Sequence, residues 1–252
     1  MKNIFYFIII SLLIFSCTVH QPQLDSSGMR SLYIHPSSGH KPDSAIESYI
    51  NIYKEAIEKE MSKVLTYSEF AIEKSKPDGG LNQLVADMVL NWCEKQDFGE
   101  EGLEADFCLL NHGGVRKALP KGEIRVENIF ELMPFENEIV IVQLSGEKVE
   151  EMFQFLAQNN DGHPISNASF EIINGKVENI KINNSALDKS KSYNVASIDY
   201  LMFGNDGMTF FVDNQKLFKT GVLLRDAYIE EIPNMKLDLY YPKNFKNRII
   251  VK

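Results

Sequence analysis

Several residue types are scarce in this chain of 252 residues, and each scarcity removes a class of protein. Three cysteines are too few for a disulfide-stapled scaffold, which uses bridges in place of a core. The 26 basic side chains are outnumbered by 35 acidic ones, for a formal net charge of -9. No stripe of Lys and Arg is present, which argues against a nucleic-acid surface, because phosphate backbones are gripped by clustered cations. A small anionic ligand stays open, since it needs only one or two local cations. The motifs G-x-S-x-G, H-E-x-x-H and the phosphate-binding loop are missing, so serine-nucleophile, zinc and kinase-like chemistry lack their usual markers.

What is there is ordinary for a globular protein: 44% hydrophobic and 24% charged residues, in a length that suits one large domain or two small ones. The exception is the start. Met1 and Lys2 lead into an apolar stretch over residues 4–15, followed by Ser16 and Cys17. The stretch is too short to span a bilayer stably and reads as the core of a signal peptide over residues 1–16. Cys17 directly after it resembles the lipidation site of exported bacterial lipoproteins, although Phe15 is bulkier than the usual residue two positions before. The plainer alternative is an ordinary cleaved signal with an incidental cysteine. On the lipoprotein reading Cys17 carries lipid and residues 17–42, rich in Ser, Pro and Gly, form a tether. The protein is then anchored to a membrane, in the periplasm or at the cell surface. An exported location permits a bridge between Cys93 and Cys108, but two buried free thiols fit equally well.

Apolar Ile46, Tyr49, Ile50, Tyr53, Ile57, Met61 and Val64 recur three and four apart, predicting an amphipathic helix over residues 43–64 that Asp43 or Ser44 caps. A strand near 65–71 and the breaker K-S-K-P-D-G-G precede a second helix, marked by Leu81, Leu84, Val85, Met88, Val89 and Trp92. Residues 105–110 read as a buried strand, 125–133 as a helix, 138–144 as a strand and 146–157 as a helix. Strands at 170–173, 177–182 and 193–198 lead through a polar, aromatic loop at 200–211 to a final helix over about 221–232. With no repeating strand-helix-strand unit and no fixed-period repeat, the pattern predicts an α+β domain over residues 43–252.

Four stretches could carry chemistry: G-L-N-Q-L-V-A-D at 80–87, N-H-G-G-V-R at 111–116, M-P-F-E-N at 133–137 and Y-L-M-F-G-N-D-G at 200–207. Glycines at a strand-to-helix turn let backbone amides approach an oxygen-rich ligand, and Arg116 adds a planar cation suited to carboxylate, phosphate or sugar oxygens. A lone G-G-x-R is more often a tight turn beside a surface arginine. Phe135 and Tyr200, aromatics in irregular segments, can sandwich a planar base, though each alone is more often a core plug. Asp206 can accept from a ligand hydroxyl or from its own turn.

Taken together, in order and spacing, N-H-G-G-V-R, P-K-G-E-I, E-L-M-P-F-E-N and D-Y-L-M-F-G-N-D-G resemble the C-terminal, substrate-binding domain of the 5'-nucleotidase and UDP-sugar hydrolase family, over most of residues 43–252. The resemblance implies that Phe135 and Tyr200 stack on either face of a nucleobase, with tyrosine where phenylalanine is usual. It implies polar contacts from Asn111, Arg116 and Asn137, ribose binding by Asp206, and a place near the base for Gly162. Two positions depart from the family. Pro77 stands where an arginine often helps to hold phosphate, leaving Lys74 or Lys76 as substitutes, and Asn205 replaces a glycine of G-G-D-G.

Full-length members of that family place a metallophosphatase domain first, its paired ions held by patterns such as D-x-H and G-N-H-D or G-N-H-E. No G-N-H occurs here; His20, His35 and His40 fall in the tether, His163 is isolated in a loop, and His112 matches the substrate-domain turn. The resemblance therefore implies a nucleoside- or nucleotide-binding domain with no cofactor and no catalytic residue of its own. Divalent metals would reside in a separate metallophosphatase chain, and the two together would hydrolyse nucleotide phosphate esters for salvage. The alternative is a non-catalytic nucleoside-binding surface lipoprotein.

Overall fold

The computed structural model describes residues 43–99 and 102–252; the signal peptide, Cys17 and the tether expected over residues 1–42 lie outside them. The chain falls into two units, one ending at Ile50 and one running from Asn51 to Lys252, and the sheets and clefts below belong to the second. The elements in order are α1 (Ser44–Met61), β1 (Val64–Ser68), α2 (Gly80–Lys95), β2 (Phe107–Leu109), β3 (Gly122–Arg125), α3 (Val126–Leu132), β4 (Glu138–Ser145) and α4 (Gly146–Gln158). They continue with β5 (Ile165–Ser166), β6 (Ala168–Ile173), β7 (Lys176–Ile182), β8 (Ser185–Ala186), β9 (Ser192–Ile198), β10 (Lys216–Leu223), α5 (Leu224–Glu231) and β11 (Ile249–Val251). Among the described residues no helix is long and apolar enough to cross a membrane.

Helix α1 starts where Asp43 caps it. The carboxylate accepts from the amides of Ala45 at 2.9 Å and Ile46 at 3.3 Å, two of the donors that a helix cannot satisfy internally. None of its side chains is buried, apolar stripe included. Helix α2 is the opposite case: Leu81, Leu84, Val85, Met88 and Val89 are fully buried, and polar Asn82 and Gln83 nearly so. A helix enclosed on most sides is the centre of a core rather than a cover for it. It packs against β2, β5 and α5. Position 80 must be glycine, because a Cβ there would lie 2.0 Å from the Tyr240 carbonyl oxygen.

The main sheet has five strands in the order β10-β4-β9-β2-β5, antiparallel except for the parallel pair of β2 and β9. A four-stranded sheet, β11-β6-β7-β8, has β11 parallel to β6, and β1 pairs with β3 alone. Helix α4 buries Val149, Met152, Phe153 and Leu156, as their spacing predicts, and Ser145 caps it by accepting from the Lys148 amide at 3.3 Å. Helices beside mixed sheets with no repeated βαβ unit make the α+β fold that the sequence pattern predicts.

The structure differs from that pattern at the end of the main sheet. The helix expected from 221 begins at Leu224; residues 221–223 instead finish β10, whose register on β4 slips between Lys219 and Leu223, with Gly221 at φ 75°. An edge strand with a bulge and a glycine carries no clean two-residue alternation. Cys93 and Cys108 are free and buried. Burial pushes the Cys93 thiol up to about 12 and raises that of Cys108, so neither is a reactive thiolate.

Candidate functional site

Three loops converge at the ends of the central strands. After β2 the chain makes a tight turn over His112–Gly114. The Arg116 amide then donates to the Leu132 carbonyl at 2.9 Å, which fastens that turn to the end of α3 and sets the M-P-F-E-N loop beside it. After β9 comes the turn Asp199–Phe203, in which Leu201 and Met202 are buried. The Asp199 carboxylate holds this turn to β4, accepting from the amides of Glu138 at 3.2 Å and Tyr200 at 2.7 Å. Between the loops lies a cleft of about 250 Å³, lined by Asn111, Gly113, Gly114, Arg116, Phe135, Asn137, Tyr200 and Asp206. Six of the seven residues singled out from the sequence therefore line one cavity.

Phe135 and Tyr200 are 41% and 40% exposed, so two large aromatic side chains stand open rather than plugging the core. The Arg116 guanidinium lies 5.9 Å from the Phe135 ring centroid, within cation–π range, and donates to the Gly113 carbonyl at 3.2 Å. Asp206 sits in the left-handed region at φ 55°, ψ 22°, uncommon for a residue with a side chain. Its carboxylate accepts from Asn111 Nδ2 at 2.6 Å and from the Tyr200 hydroxyl at 3.2 Å. The charge on Asp206 raises the Tyr200 pKa further above neutral. In G-N-D-G the positive φ angles fall on Gly204, Asp206 and Gly207, not on Asn205. Asparagine in place of glycine is therefore unstrained, and its side chain ties the loop by donating to the Tyr200 carbonyl at 2.7 Å.

Gly162 does not line this cleft. Its carbonyl accepts from the Asn82 side chain and lies 3.2 Å from His112 Nδ1, and a Cβ at this left-handed glycine would meet the Ser75 carbonyl oxygen at 2.6 Å. Its glycine character is explained by close packing of the Ser75 loop, not by an approach to the cavity. A second cleft, of about 400 Å³, opens on the other side of Gly113 and Asp206, with His112, Phe155, Asp161 and His163 around it. His163 Nδ1 accepts the His112 amide at 3.1 Å, which places the proton of the neutral ring on Nε2. Burial lowers the pKa of this ring to about 4.

Asp161-Gly162-His163 does spell D-x-H. Asp161, however, is paired with Lys76 at 2.6 Å, and His163 Nδ1 is taken by an amide. Among the described residues no three His, Cys, Asp or Glu side chains are grouped to hold a metal ion, so this pair does not fit a two-metal centre. Of the two lysines before Pro77, Lys76 is thus engaged by a residue of the second cleft. Lys74 donates to the Val115 carbonyl at 2.8 Å, and its pKa is lowered by burial and by the nearby charge of Arg116. Asn82 was not singled out as a site residue, yet its Oδ1 accepts from the Ser75 amide at 3.1 Å and so braces the loop carrying both lysines.

Comparisons with known proteins converge on the same part of the chain. The family model of the 5'-nucleotidase C-terminal domain matches residues 59–213. Protein UshA of Escherichia coli is 27% identical over 146 residues, covering 55% of this chain and 26% of its own length. A 5'-nucleotidase of Vibrio cholerae is 22% identical over 185 residues, covering 72% of this chain and 32% of its own length. Among solved structures, the 5'-nucleotidase precursor of Thermus thermophilus shares the fold, with a TM-score of 0.66 at 18% identity over 83% of this chain and 44% of that one. The chain spans about a quarter to a third of the length of these two curated relatives. With well over half of its residues matched in family order, the chain belongs to the 5'-nucleotidase C-terminal domain family.

Proposed function

We propose that this chain supplies substrate recognition to a split 5'-nucleotidase, binding a nucleoside or nucleotide between Phe135 and Tyr200 while a separate metallophosphatase chain carries the metals. The observation that carries this reading is the cleft: two half-exposed aromatic side chains, a carboxylate fixed by two donors and an arginine line one cavity. Aromatic faces suit a planar base, Asp206 suits hydroxyls, and Arg116 suits an anionic or oxygen-rich group. The eight lining residues offer no nucleophile paired with a base. Hydrolysis is therefore assigned to the partner, whose paired ions would polarise the phosphate and activate water. The names of the Vibrio and Thermus relatives point to the same substrate class. Lipidation at Cys17 after export would hold the domain at a membrane.

The test is calorimetric titration with adenosine and AMP, on the wild type and on Tyr200→Ala. Saturable binding should weaken in the variant by about 1–3 kcal/mol, the worth of one stacking face; a wild type that gives no heat with either ligand sinks the reading. The alternative, a non-catalytic nucleoside-binding lipoprotein, is favoured by Pro77 in the place of a phosphate-holding arginine. It requires adenosine and AMP to bind equally and phosphate release to stay flat when a lone metallophosphatase chain is added.

A further inference from the structure

Position 200 is a tyrosine, and its hydroxyl is engaged. It donates to Asp206 Oδ1 at 3.2 Å while Asn111 Nδ2 donates to Oδ2 at 2.6 Å. The carboxylate is thus held from two walls at once, by the turn after β2 through the buried Asn111 and by the turn after β9 through Tyr200. Asp206 needs such holding, because it is a short side chain on a left-handed backbone between Gly204 and Gly207, both also at positive φ. An ionised carboxylate has about four lone-pair sites. With one on each oxygen occupied, two stay open, which is the number that a pair of neighbouring hydroxyls fills. The phenolic oxygen, with its proton directed at Asp206, keeps lone pairs that can accept from one of those hydroxyls. A phenylalanine would offer the same ring face and neither of these features.

We propose that Tyr200 is a positioning residue that determines specificity: its ring forms one face of the base site, and its hydroxyl fixes Asp206 to receive a vicinal diol. Ribose recognition and base stacking then depend on one side chain. The ligands selected are ribonucleosides and their 5'-phosphates, with 2'-deoxy and 3'-deoxy forms disfavoured. This rests on the nucleoside reading of the cleft.

The experiment is calorimetry on the full chain with adenosine, 2'-deoxyadenosine and 3'-deoxyadenosine, for the wild type, Tyr200→Phe, Asp206→Asn and the double variant, with a thermal melt of each. The wild type should prefer adenosine by about tenfold or more, the effect of leaving a charged acceptor unfilled. Tyr200→Phe should still bind all three ligands but discriminate by less than about threefold, and in the Asp206→Asn background it should change discrimination no further. Unchanged discrimination in Tyr200→Phe overturns the proposal and leaves the base site standing. Tighter adenosine binding by that variant also overturns it, because the hydroxyl would then be competing with the ligand for Asp206. A wild type that binds none of the three removes the nucleoside reading itself, and this proposal with it.

Discussion

Arg116 is held at one end by the Gly113 carbonyl and lies over Phe135, leaving most of its donors directed to the cleft or to solvent. Its planar fork is suited to an anionic group, so Arg116→Ala should weaken AMP binding by about 1.5–3 kcal/mol and adenosine binding by less. Parallel titrations of the two ligands measure the difference, and an equal loss for both would assign Arg116 to the shape of the cleft. His163 makes a prediction about acid. Its pKa falls from 6.5 to about 4, first through burial and also through His112, with Asp161 and Asp206 opposing. The unfolded chain takes up this proton near pH 6.5 and the folded chain only near 4, so the stabilisation is complete above 6.5 and is lost as pH falls through that window. By pH 5 the loss is on the order of 2 kcal/mol. Urea unfolding at pH 7 and pH 5 should show a smaller acid loss in His163→Gln than in the wild type; identical losses would shift the effect to other groups.

Helix α2 shows how one small position carries an element. Gly80→Ala puts a methyl against the Tyr240 carbonyl, and the strain of an overpacked contact, about 1–3 kcal/mol, outweighs the 0.5–1 kcal/mol that alanine usually gains in a helix. A lower urea midpoint at unchanged slope is the expected result, and a raised midpoint would mean that the C-terminal segment yields easily. The same helix was legible in the sequence because its apolar residues repeat at 3.6, and α4 was legible for that reason too. Strand β10 was not, since Gly221 and the bulge break its alternation. The exposure of α1 was also hidden: periodicity shows that a helix has an apolar stripe and says nothing of what the stripe meets. At the cleft, it was the family resemblance carried by the glycine-marked loops and their aromatics that named the six residues lining it. The bond from Tyr200 to Asp206 and the bond from the His112 amide to His163 were not visible, because each depends on loop backbones that no spacing rule specifies. Gly162 was misplaced for a related reason, since a glycine required for packing looks the same in sequence as one that admits a ligand.

Across the whole molecule the final segment is knitted into the first core helix. Arg248 Nη2 reaches Asp87 at 2.7 Å, its Nη1 donates to the Ile165 carbonyl at 2.6 Å, and its amide donates to Asp78 at 2.6 Å. Asp87 also accepts from Ser166 and from the Tyr240 hydroxyl. Removing one partner of such a largely enclosed pair leaves the other charge uncompensated, so Asp87→Ala should cost about 3 kcal/mol and expose the β11 end to proteolysis. A thermal melt and limited proteolysis check both, and a variant as stable as the wild type would show that water replaces the carboxylate. The family match ends at residue 213, but β10, α5 and β11 beyond it are structural parts of this unit.

That knitting sets an order of events during synthesis. Polypeptides leave the ribosome amino end first, and Arg248 follows Asp87 by 161 residues. Until it emerges, Asp87 lacks its guanidinium partner, Asp78 lacks the Arg248 amide, and the edge of the second sheet lacks its parallel partner β11. A nascent chain should therefore stay loose and open to proteases until Arg248 has emerged, and then close in one late step.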